Sequence, residues 1–286
     1  MKKVSKTIIF IVVLGIGIVI AAYPFISNFL NSLNLDSEIQ TYLNSSSSLN
    51  SEQRENMIKE AKKYNKGLLS NIKIGDPFEE PTKTNDNYYN ILKVSDTPVM
   101  SCIEIPAINL KYPIYHGTDE DVLSKGIGHM RNTSFPIGGK GTHAVLTGHS
   151  GYSSTKLFTD IDKLKKGDKF YIYTLDLSLS YEVDQIKVVL PTDTADLKVN
   201  PKEDYVTLVT CTPYGINSHR LLVRGKRIPY VGEEKVFQAK KRIESTWNNE
   251  YLSAIVIGGG VMAGILIVYI IVRVIVKRVR KRKGDG

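Results

Sequence analysis

The chain has 286 residues and a formal net charge of +9 at pH 7, a length that suits one core domain with extensions. The first six and the last fourteen residues carry all of this charge, and residues 7–272 sum to zero. The middle of the chain therefore offers no basic excess for binding nucleic acid. Basic ends of this kind are typical of the cytoplasmic flanks of membrane spans.

Two uncharged apolar stretches lie just inside these basic ends, at 7–26 and 252–272. Each is long enough to cross a hydrocarbon layer of roughly 30 Å as a helix, and neither shows the polar face of a buried core helix. The first is alternatively a cleaved signal peptide, although Ala21 and Ala22 make a poor cleavage site. We therefore predict two spans, with both termini cytoplasmic and the segment between them outside the cell membrane.

The whole chain divides into seven predicted segments. In order, they are a cytoplasmic tail (1–6), a transmembrane helix or signal anchor (7–30), an N-terminal helical segment with a loop (31–98), a β-rich domain (99–230), a juxtamembrane helix or linker (231–251), a transmembrane helix (252–276) and a basic cytoplasmic tail (277–286). The last tail either contacts anionic lipid heads or only fixes the topology.

The segment after the first span predicts a helix, a loop and a second helix. A polar break at 44–50 separates the helices, and Asn50 with Gln53 predicts a capping box at the start of the second. That helix is rich in charges and good helix formers, which favours a surface position. Residues 72–97 are turn-rich and show no clear period, as in a linker or a functional loop.

From Val99 onward the sequence consists of short runs of β-branched and aromatic residues separated by turn signals. The strand candidates are MSCIEIPAINLKYPIYHG, THAVLTGHSG, KFYIYTL, SLSYEVDQIKVVL, YVTLVTC and HRLLVRGKRI. Short helical pieces are predicted at 119–125 and 156–164. Many short strands at close spacing favour a β-barrel or a sandwich.

One of the two cysteines, Cys211, ends the candidate strand YVTLVTC, and the turn signal TPYG follows it. A thiol has an ordinary pKa of about 8.5, so it needs a base or a nearby cation to react at neutral pH. The other cysteine, Cys102, lies within a strand candidate, which favours a packing role. A disulfide between the two is the remaining alternative.

A histidine, His149, occupies a similar strand-end position in the string LTGHSG. It is a candidate partner for Cys211, and the alternative is a turn histidine that bonds to backbone groups. The other histidines lie in loop candidates, at a strand start or beside an arginine: His116, His129, His143 and His219.

These motifs resemble those of the sortases. The strings TLVTCTPYGINSHRLLVRG and IEIPAINLKYPIYHGT are similar to the class C branch, whose members polymerise pilins, over about residues 100–228. The resemblance implies a mostly β fold, a closed sortase-type barrel with short helices and mostly antiparallel strands.

The resemblance also implies roles for three residues. Cys211 would attack the carbonyl after threonine in an LPXTG-like sorting signal and form a thioacyl enzyme. His149 would protonate the leaving amine and then deprotonate the incoming one, while Arg220 would hold the carbonyl or its oxyanion. The partners would be pilin subunits and an acceptor lysine on a second pilin, and this chemistry requires no metal or cofactor.

A loop upstream of the barrel carries the string GDPFEEP. Class C sortases carry an Asp-Pro-aromatic lid at this place, and Asp76, Pro77 and Phe78 match it. The resemblance implies that Asp76 pairs with Arg220 and that Phe78 covers Cys211. The alternative is an ordinary turn, because Asp-Pro is common in turns.

Three other functions are compatible with parts of the sequence. A sortase that anchors proteins to peptidoglycan would share the motifs, although two spans and the lid motif argue against it. A membrane-tethered adhesion protein would not need Cys211. A hydrolytic cysteine peptidase would use water in place of an amine acceptor.

Overall fold

The structure is a computed structural model that describes most of the chain. The described residues are 2–68, 74–79, 87–94, 98–151, 156–232, 256, 258–260, 263–264, 266–267 and 269–275. The chain forms two compact units, one of Met1–Ala22 with Thr246–Gly286 and one of Tyr23–Ser245. In the first unit the described residues are helical. The second unit contains the sheet.

Two helices come first, α1 (Lys2–Ser48) and α2 (Ser51–Gly67). The predicted capping box is confirmed: the Asn50 side chain accepts from the Gln53 backbone N–H at 2.8 Å, and the Gln53 side chain accepts from the Asn50 N–H at 2.9 Å. This exchange satisfies backbone donors that a helix start leaves without an intrahelical partner, so a new helix begins after only two intervening residues.

Eight strands of the described chain form one sheet. They are β1 (Val99–Ile105), β2 (Leu110–His116), β3 (Ile127–His129), β4 (Thr142–Thr147), β5 (Lys169–Thr174), β6 (Leu177–Val189), β7 (Asp204–Thr212) and β8 (His219–Ile228). A short helix, α3 (Glu120–Leu123), precedes β3. Four 3₁₀ turns complete the described elements, at Asn87–Asn90, Pro106–Ile108, Ile161–Lys163 and Ala195–Leu197.

The sheet closes into a barrel in the order β1-β2-β3-β4-β7-β8-β6-β5, which confirms the predicted closed barrel. Two neighbouring pairs are parallel, β2 with β3 and β4 with β7, and the other pairs are antiparallel. Strand β3 was not among the predicted strands. It has only three residues, too few to show an alternating pattern.

The strands β4, β7 and β8 lie side by side, and their directions determine what their ends can share. Because β4 and β7 are parallel, their carboxyl ends meet at the same rim of the barrel. Strand β8 is antiparallel to β7 and therefore begins at that rim. Residues that follow β4, end β7 or begin β8 are brought together by this topology alone.

These three strands also separate two apolar layers, because successive side chains alternate between the faces of a sheet. Ala144, Leu208 and Val223 point into the main core of the barrel. Val145 and Val209 point outward into a smaller cluster. The outer face of β4, β7 and β8 is thus apolar next to the rim and requires a cover.

The helical segment is attached to the barrel through buried polar groups. Tyr42 of α1 donates its hydroxyl to the Met100 carbonyl at 2.9 Å and accepts from the Leu175 N–H at 2.8 Å. The side-chain amide of Asn65 in α2 donates to the Phe135 carbonyl and accepts from the Phe135 N–H. Helix α2 is otherwise mostly exposed, as its composition predicted.

The two predicted membrane spans are not supported by this structure. Within the described residues, no helix combines the length and the apolar character that crossing a membrane requires. The span predicted at 7–30 falls within α1, and much of the span predicted at 252–276 lies outside the described residues. The juxtamembrane helix predicted at 231–251 also lies mostly outside them.

Candidate active site

The rim formed by β4, β7 and β8 carries all three residues that the sequence singled out. Cys211 lies near the end of β7, and Arg220 lies directly opposite it near the start of β8. His149 follows β4 by two residues, beyond the parallel pairing of Thr147 with Val209. Continuing that register places His149 beside Cys211. All three side chains belong to the outer face of the sheet by alternation.

Side-chain and backbone hydrogen bonds tie the segment after β4 to β7. Thr210 donates its hydroxyl to the Gly148 carbonyl at 2.7 Å, and Ser150 donates its hydroxyl to the Cys211 carbonyl at 3.0 Å. The Gly148 N–H continues the ladder to the Val209 carbonyl at 3.1 Å. The backbone on both sides of His149 is therefore fixed to the strand that carries the thiol.

Glycine is required at position 148 by packing. A Cβ there would lie 2.7 Å from Cδ1 of Ile127 and 2.9 Å from Cδ2 of Phe158. Both side chains belong to the main core, so neither can move without cost. The glycine before His149 thus allows β4 to stay against the core up to the rim.

The Cys211 thiol is free and largely covered, with 9% of the residue exposed. Burial raises the pKa of this thiol, Arg220 lowers it by favouring the thiolate, and Asp76 raises it again. In the structure as it stands, the thiol form is favoured. The predicted alternative of a disulfide with Cys102 is wrong, because both cysteines are free thiols.

The Arg220 guanidinium is held by the carboxylate of Asp76 in a two-point contact. Nε donates to Oδ1 at 2.9 Å and Nη2 donates to Oδ2 at 2.6 Å. The side chains are 11% and 7% exposed, so solvent screens this pair little. Paired charge-assisted hydrogen bonds of this geometry are among the stronger polar contacts in proteins.

Phe78 covers two of the three rim side chains. Its ring centroid lies 5.5 Å from that of His149, and Cζ of Arg220 lies 4.9 Å from the centre of the Phe78 ring. Phe78 also packs against the outer apolar cluster. Pro77 is buried between Asp76 and Phe78.

The segment 74–79, called the lid below, forms a tight turn over the rim. The Glu79 N–H bonds to the Asp76 carbonyl at 3.0 Å, and the Phe78 N–H bonds to Oδ1 of Asp76 at 3.3 Å. At its start, the Ile74 carbonyl accepts from the Thr194 hydroxyl at 2.9 Å. Asp76 therefore acts both as a turn former and as the partner of Arg220.

His149 has a further partner that sequence reasoning missed. Its Nε2 lies 3.2 Å from Oε2 of Glu120, the first residue of α3. The sequence predicted a short helical piece at 119–125 but gave no signal that its carboxylate would reach the rim. Thr194 was missed for the same reason, since its contact with Ile74 spans 120 positions.

Three of the remaining histidines are buried, and burial lowers their pKa values. The pKa falls to about 4 for His116 and His143 and to about 3 for His129. Each bonds to a backbone carbonyl, which is the behaviour of a core histidine. His219 lies beside Ser218 and pairs in register with Thr212.

Cys102 lies in a different environment from Cys211. It is 1% exposed and packs with Tyr42 and Tyr115 in a separate apolar cluster. Burial raises the pKa of its thiol to about 12. Such a thiol is protonated at neutral pH and is a poor nucleophile.

A closed barrel with a cysteine, a histidine and an arginine at one rim is the arrangement expected of the sortase class of cysteine enzymes. Comparison with known proteins supports this class. A family model described as the sortase domain matches residues 103–228. Sortase C-1 from Streptococcus pneumoniae shares 45% identity at a TM-score of 0.64, covering 68% of this chain and 100% of that one.

Two further proteins extend the comparison. A pilus-related sortase C of Group B Streptococcus shares 45% identity at a TM-score of 0.62, covering 67% of this chain and 97% of that one. Sortase D of Bacillus subtilis (strain 168) is 32% identical over 129 residues, which is 44% of this chain and 62% of that protein. The match thus spans less than two thirds of that curated relative's length.

The chain belongs to the sortase family. The predicted resemblance to class C sortases and the prediction of a sortase-type enzyme are confirmed by these matches.

Proposed function

We propose that this chain is a cysteine transpeptidase that joins pilin subunits through their sorting signals. The observation that carries the proposal is the rim itself, where a thiol, an imidazole and a guanidinium converge under a lid that pairs with the guanidinium. The pilus-related sortase C among the similar structures supports the choice of substrate class.

The first half of the reaction forms a thioester. The Cys211 thiolate attacks the carbonyl carbon that follows threonine in an LPXTG-like signal, and the carbonyl oxygen becomes an oxyanion. Arg220 donates hydrogen bonds to that oxyanion, as preorganised donors do in acyl transfer. His149 gives a proton to the leaving amine as the peptide bond breaks, which leaves a thioacyl enzyme.

The second half transfers the acyl group to an amine. A lysine ε-amine of a second pilin attacks the thioester, and His149 accepts its proton. The thiolate of Cys211 is released as the new amide bond forms. The apolar cluster next to the rim supports a preference for an amine over water, because a site that excludes water limits hydrolysis.

The lid controls entry to this site. While Asp76 occupies the guanidinium and Phe78 lies on His149, a peptide carbonyl cannot reach Arg220. The substrate site is therefore closed in this conformation, and the segment 74–79 must move before a peptide binds. Moving Asp76 away also removes a negative charge that raises the pKa of the Cys211 thiol.

The location of the enzyme is also part of this proposal. The basic ends and the apolar stretches at 7–26 and 252–272 support a barrel held outside the cell membrane with both termini cytoplasmic. Digestion of intact cells and of lysed cells with a protease distinguishes this arrangement. Cleavage of the barrel but not of the tails in intact cells is expected.

The proposal is tested by incubating the full-length chain with a pilin that carries an LPXTG-type signal and separating the products on a denaturing gel. A ladder of covalent oligomers that is absent with Cys211→Ala is the expected result. Release of the cleaved pilin without a ladder would favour a hydrolytic peptidase. Transfer to a peptidoglycan-type amine but not to pilin lysine would favour the anchoring sortase.

A further inference from the structure

A carboxylate outside the predicted set of site residues contacts the imidazole at the rim. Oε2 of Glu120 lies 3.2 Å from Nε2 of His149. The Glu120 side chain is 70% exposed and that of His149 is 21% exposed. An exposed ion pair of this kind is weak, so its effect depends on how well its two residues are fixed.

Glu120 is carried by a short helix that is well anchored to the barrel. Asp119 caps α3 by accepting from the Val122 N–H at 3.1 Å. Leu123, at the other end of α3, is 2% exposed and lies against Gly128 of β3, where a Cβ would be 3.0 Å from Cδ2 of Leu123 and 2.3 Å from the Gly117 carbonyl oxygen. A side chain at position 128 would therefore push α3 outward.

Two contacts of His149 differ in the elements that supply them. The Phe78 ring belongs to the lid, which also carries Asp76, the partner of Arg220. The Glu120 carboxylate belongs to α3, which is capped by Asp119 and packed through Leu123. A lid that leaves therefore removes the Phe78 ring from His149, while α3 can keep the Glu120 carboxylate in place.

We propose that Glu120 is a positioning residue that holds the orientation of the His149 ring once the lid is open. The inference rests on the proposed function, in which His149 moves protons. A carboxylate can only accept, so its contact with Nε2 at 3.2 Å uses the Nε2–H of His149 as donor and limits the rotation of the ring. The other ring nitrogen is then held in one place for proton transfer at the rim.

The test measures kcat and KM separately for cleavage of a fluorogenic LPXTG-type peptide by the full-length chain, at low and at high salt. It compares Glu120→Gln and Glu120→Asp with the unsubstituted chain, all in an Asp76→Ala, Phe78→Ala background that leaves the site open. Asp121→Asn is the matched control, since it removes the same charge from the next residue of the same helix.

Glu120→Gln is expected to lower kcat about two- to fivefold, the range typical of an exposed ion pair. Without the carboxylate the His149 ring is oriented less well for proton transfer, so the loss falls on kcat while KM stays the same. The difference shrinks in high salt, because screening weakens an exposed contact with a charged group. Glu120→Asp restores part of the rate, and Asp121→Asn changes neither kcat nor KM.

Two results would overturn the inference while leaving the proposed function intact. One is a Glu120→Gln variant whose kcat equals that of the unsubstituted chain. The other is a loss that is the same at every salt concentration and that Glu120→Asp does not restore, which is the signature of a purely structural role. Absence of cleavage by the unsubstituted open-lid chain at any pH would instead refute the proposed function, and this inference with it.

Discussion

The two sides of the candidate site are held by different kinds of contact. Cys211 and Arg220 lie on paired strands, and His149 follows a strand whose extension is bonded to β7. The lid side, residues 74–79, is attached to the rim by the Asp76–Arg220 ion pair, the Phe78 ring contacts and one bond from Thr194.

The two kinds of contact differ in how much free energy is needed to break them. Breaking the strand side requires opening a continuous backbone ladder inside the barrel, which costs close to the free energy of global unfolding. Opening the lid breaks a few side-chain contacts on the surface. In the proposed mechanism, the chemistry lies on the strand side and access is controlled on the lid side, and the substitutions below test each side separately.

The largest effect is expected from removing the thiol. Cys211→Ala should abolish both peptide cleavage and the thioacyl adduct, because no other described residue at the rim carries a nucleophilic sulfur. Mass spectrometry of the enzyme mixed with an LPXTG-type peptide checks the adduct. Thermal unfolding should change little, since Cys211 lies at the rim.

Cys102→Ala is the matched control for this substitution. It should keep the adduct and lower the free energy of unfolding by about 1 kcal/mol, the usual cost of a single core substitution. An adduct that survives Cys211→Ala but disappears with Cys102→Ala would contradict the assignment of the nucleophile.

The next largest effect is expected at the guanidinium. Arg220→Ala should reduce kcat by about 10²–10³-fold, the typical cost of losing a donor to a developing oxyanion. Steady-state kinetics on the peptide measure it. The same change also removes the charge that lowers the pKa of the Cys211 thiol, so thiol labelling should need higher pH.

The same strand offers a close control. Arg224 of β8 also makes a two-point pair with an aspartate, Asp184, and its Cζ lies 4.2 Å from the centre of the Tyr205 ring. Arg224 thus resembles Arg220 in its contacts but is not paired with Cys211 in the sheet. Arg224→Ala therefore removes a comparable arginine without removing the one opposite the thiol. Equal losses of kcat in the two variants would show that Arg220 acts through stability alone.

A smaller effect, of opposite sign, is expected on the lid side. Asp76→Ala with Phe78→Ala should accelerate labelling of Cys211 by a thiol-reactive probe about tenfold or more, because a hydrogen bond to a charged group is worth about 1.5–3 kcal/mol. Stopped-flow labelling at pH 7 measures the rate. Unchanged labelling in the double variant would refute the lid.

The single substitution Asp76→Asn isolates the charge of the lid. Burial, the largest cause, and Asp76 both raise the pKa of the Cys211 thiol. Removing the Asp76 charge lowers that pKa, so more thiolate is present at a given pH and the labelling profile moves to lower pH. Asp184→Asn, which removes the partner of Arg224, should leave the profile unchanged.

Part of the strand side could be predicted from local signals. The turn signal TPYG after YVTLVTC places Cys211 at a strand end, whereas Arg220 was singled out by the family resemblance and the structure pairs it with Cys211. The closed barrel came from the family resemblance, since short alternating strands alone also fit a sandwich. The three-residue strand β3 carried no pattern and was missed.

The contacts that complete the site could not be predicted, because they join residues far apart in the chain. Glu120 and His149 are 29 positions apart, and Thr194 and Ile74 are 120 apart. No periodicity reports such pairs. The membrane spans are a case in which a local signal predicted more than the structure supports. Hydropathy alone predicted both spans, and the described residues contain no helix long and apolar enough to support either.

The smallest predicted effect concerns the bond that holds the start of the lid. Thr194→Val keeps the shape of the side chain and removes the hydroxyl that donates to the Ile74 carbonyl at 2.9 Å. A net loss of about 1 kcal/mol for one hydrogen bond corresponds to about a fivefold increase in lid opening. Cys211 labelling should rise by that factor, with its pH profile unchanged because Asp76 keeps its charge. Thr194→Ser retains the hydroxyl and should label at the original rate. If Thr194→Val labels no faster than Thr194→Ser, the Thr194 bond does not help to hold the lid. The contacts that close the lid are then the Asp76–Arg220 pair and the Phe78 ring.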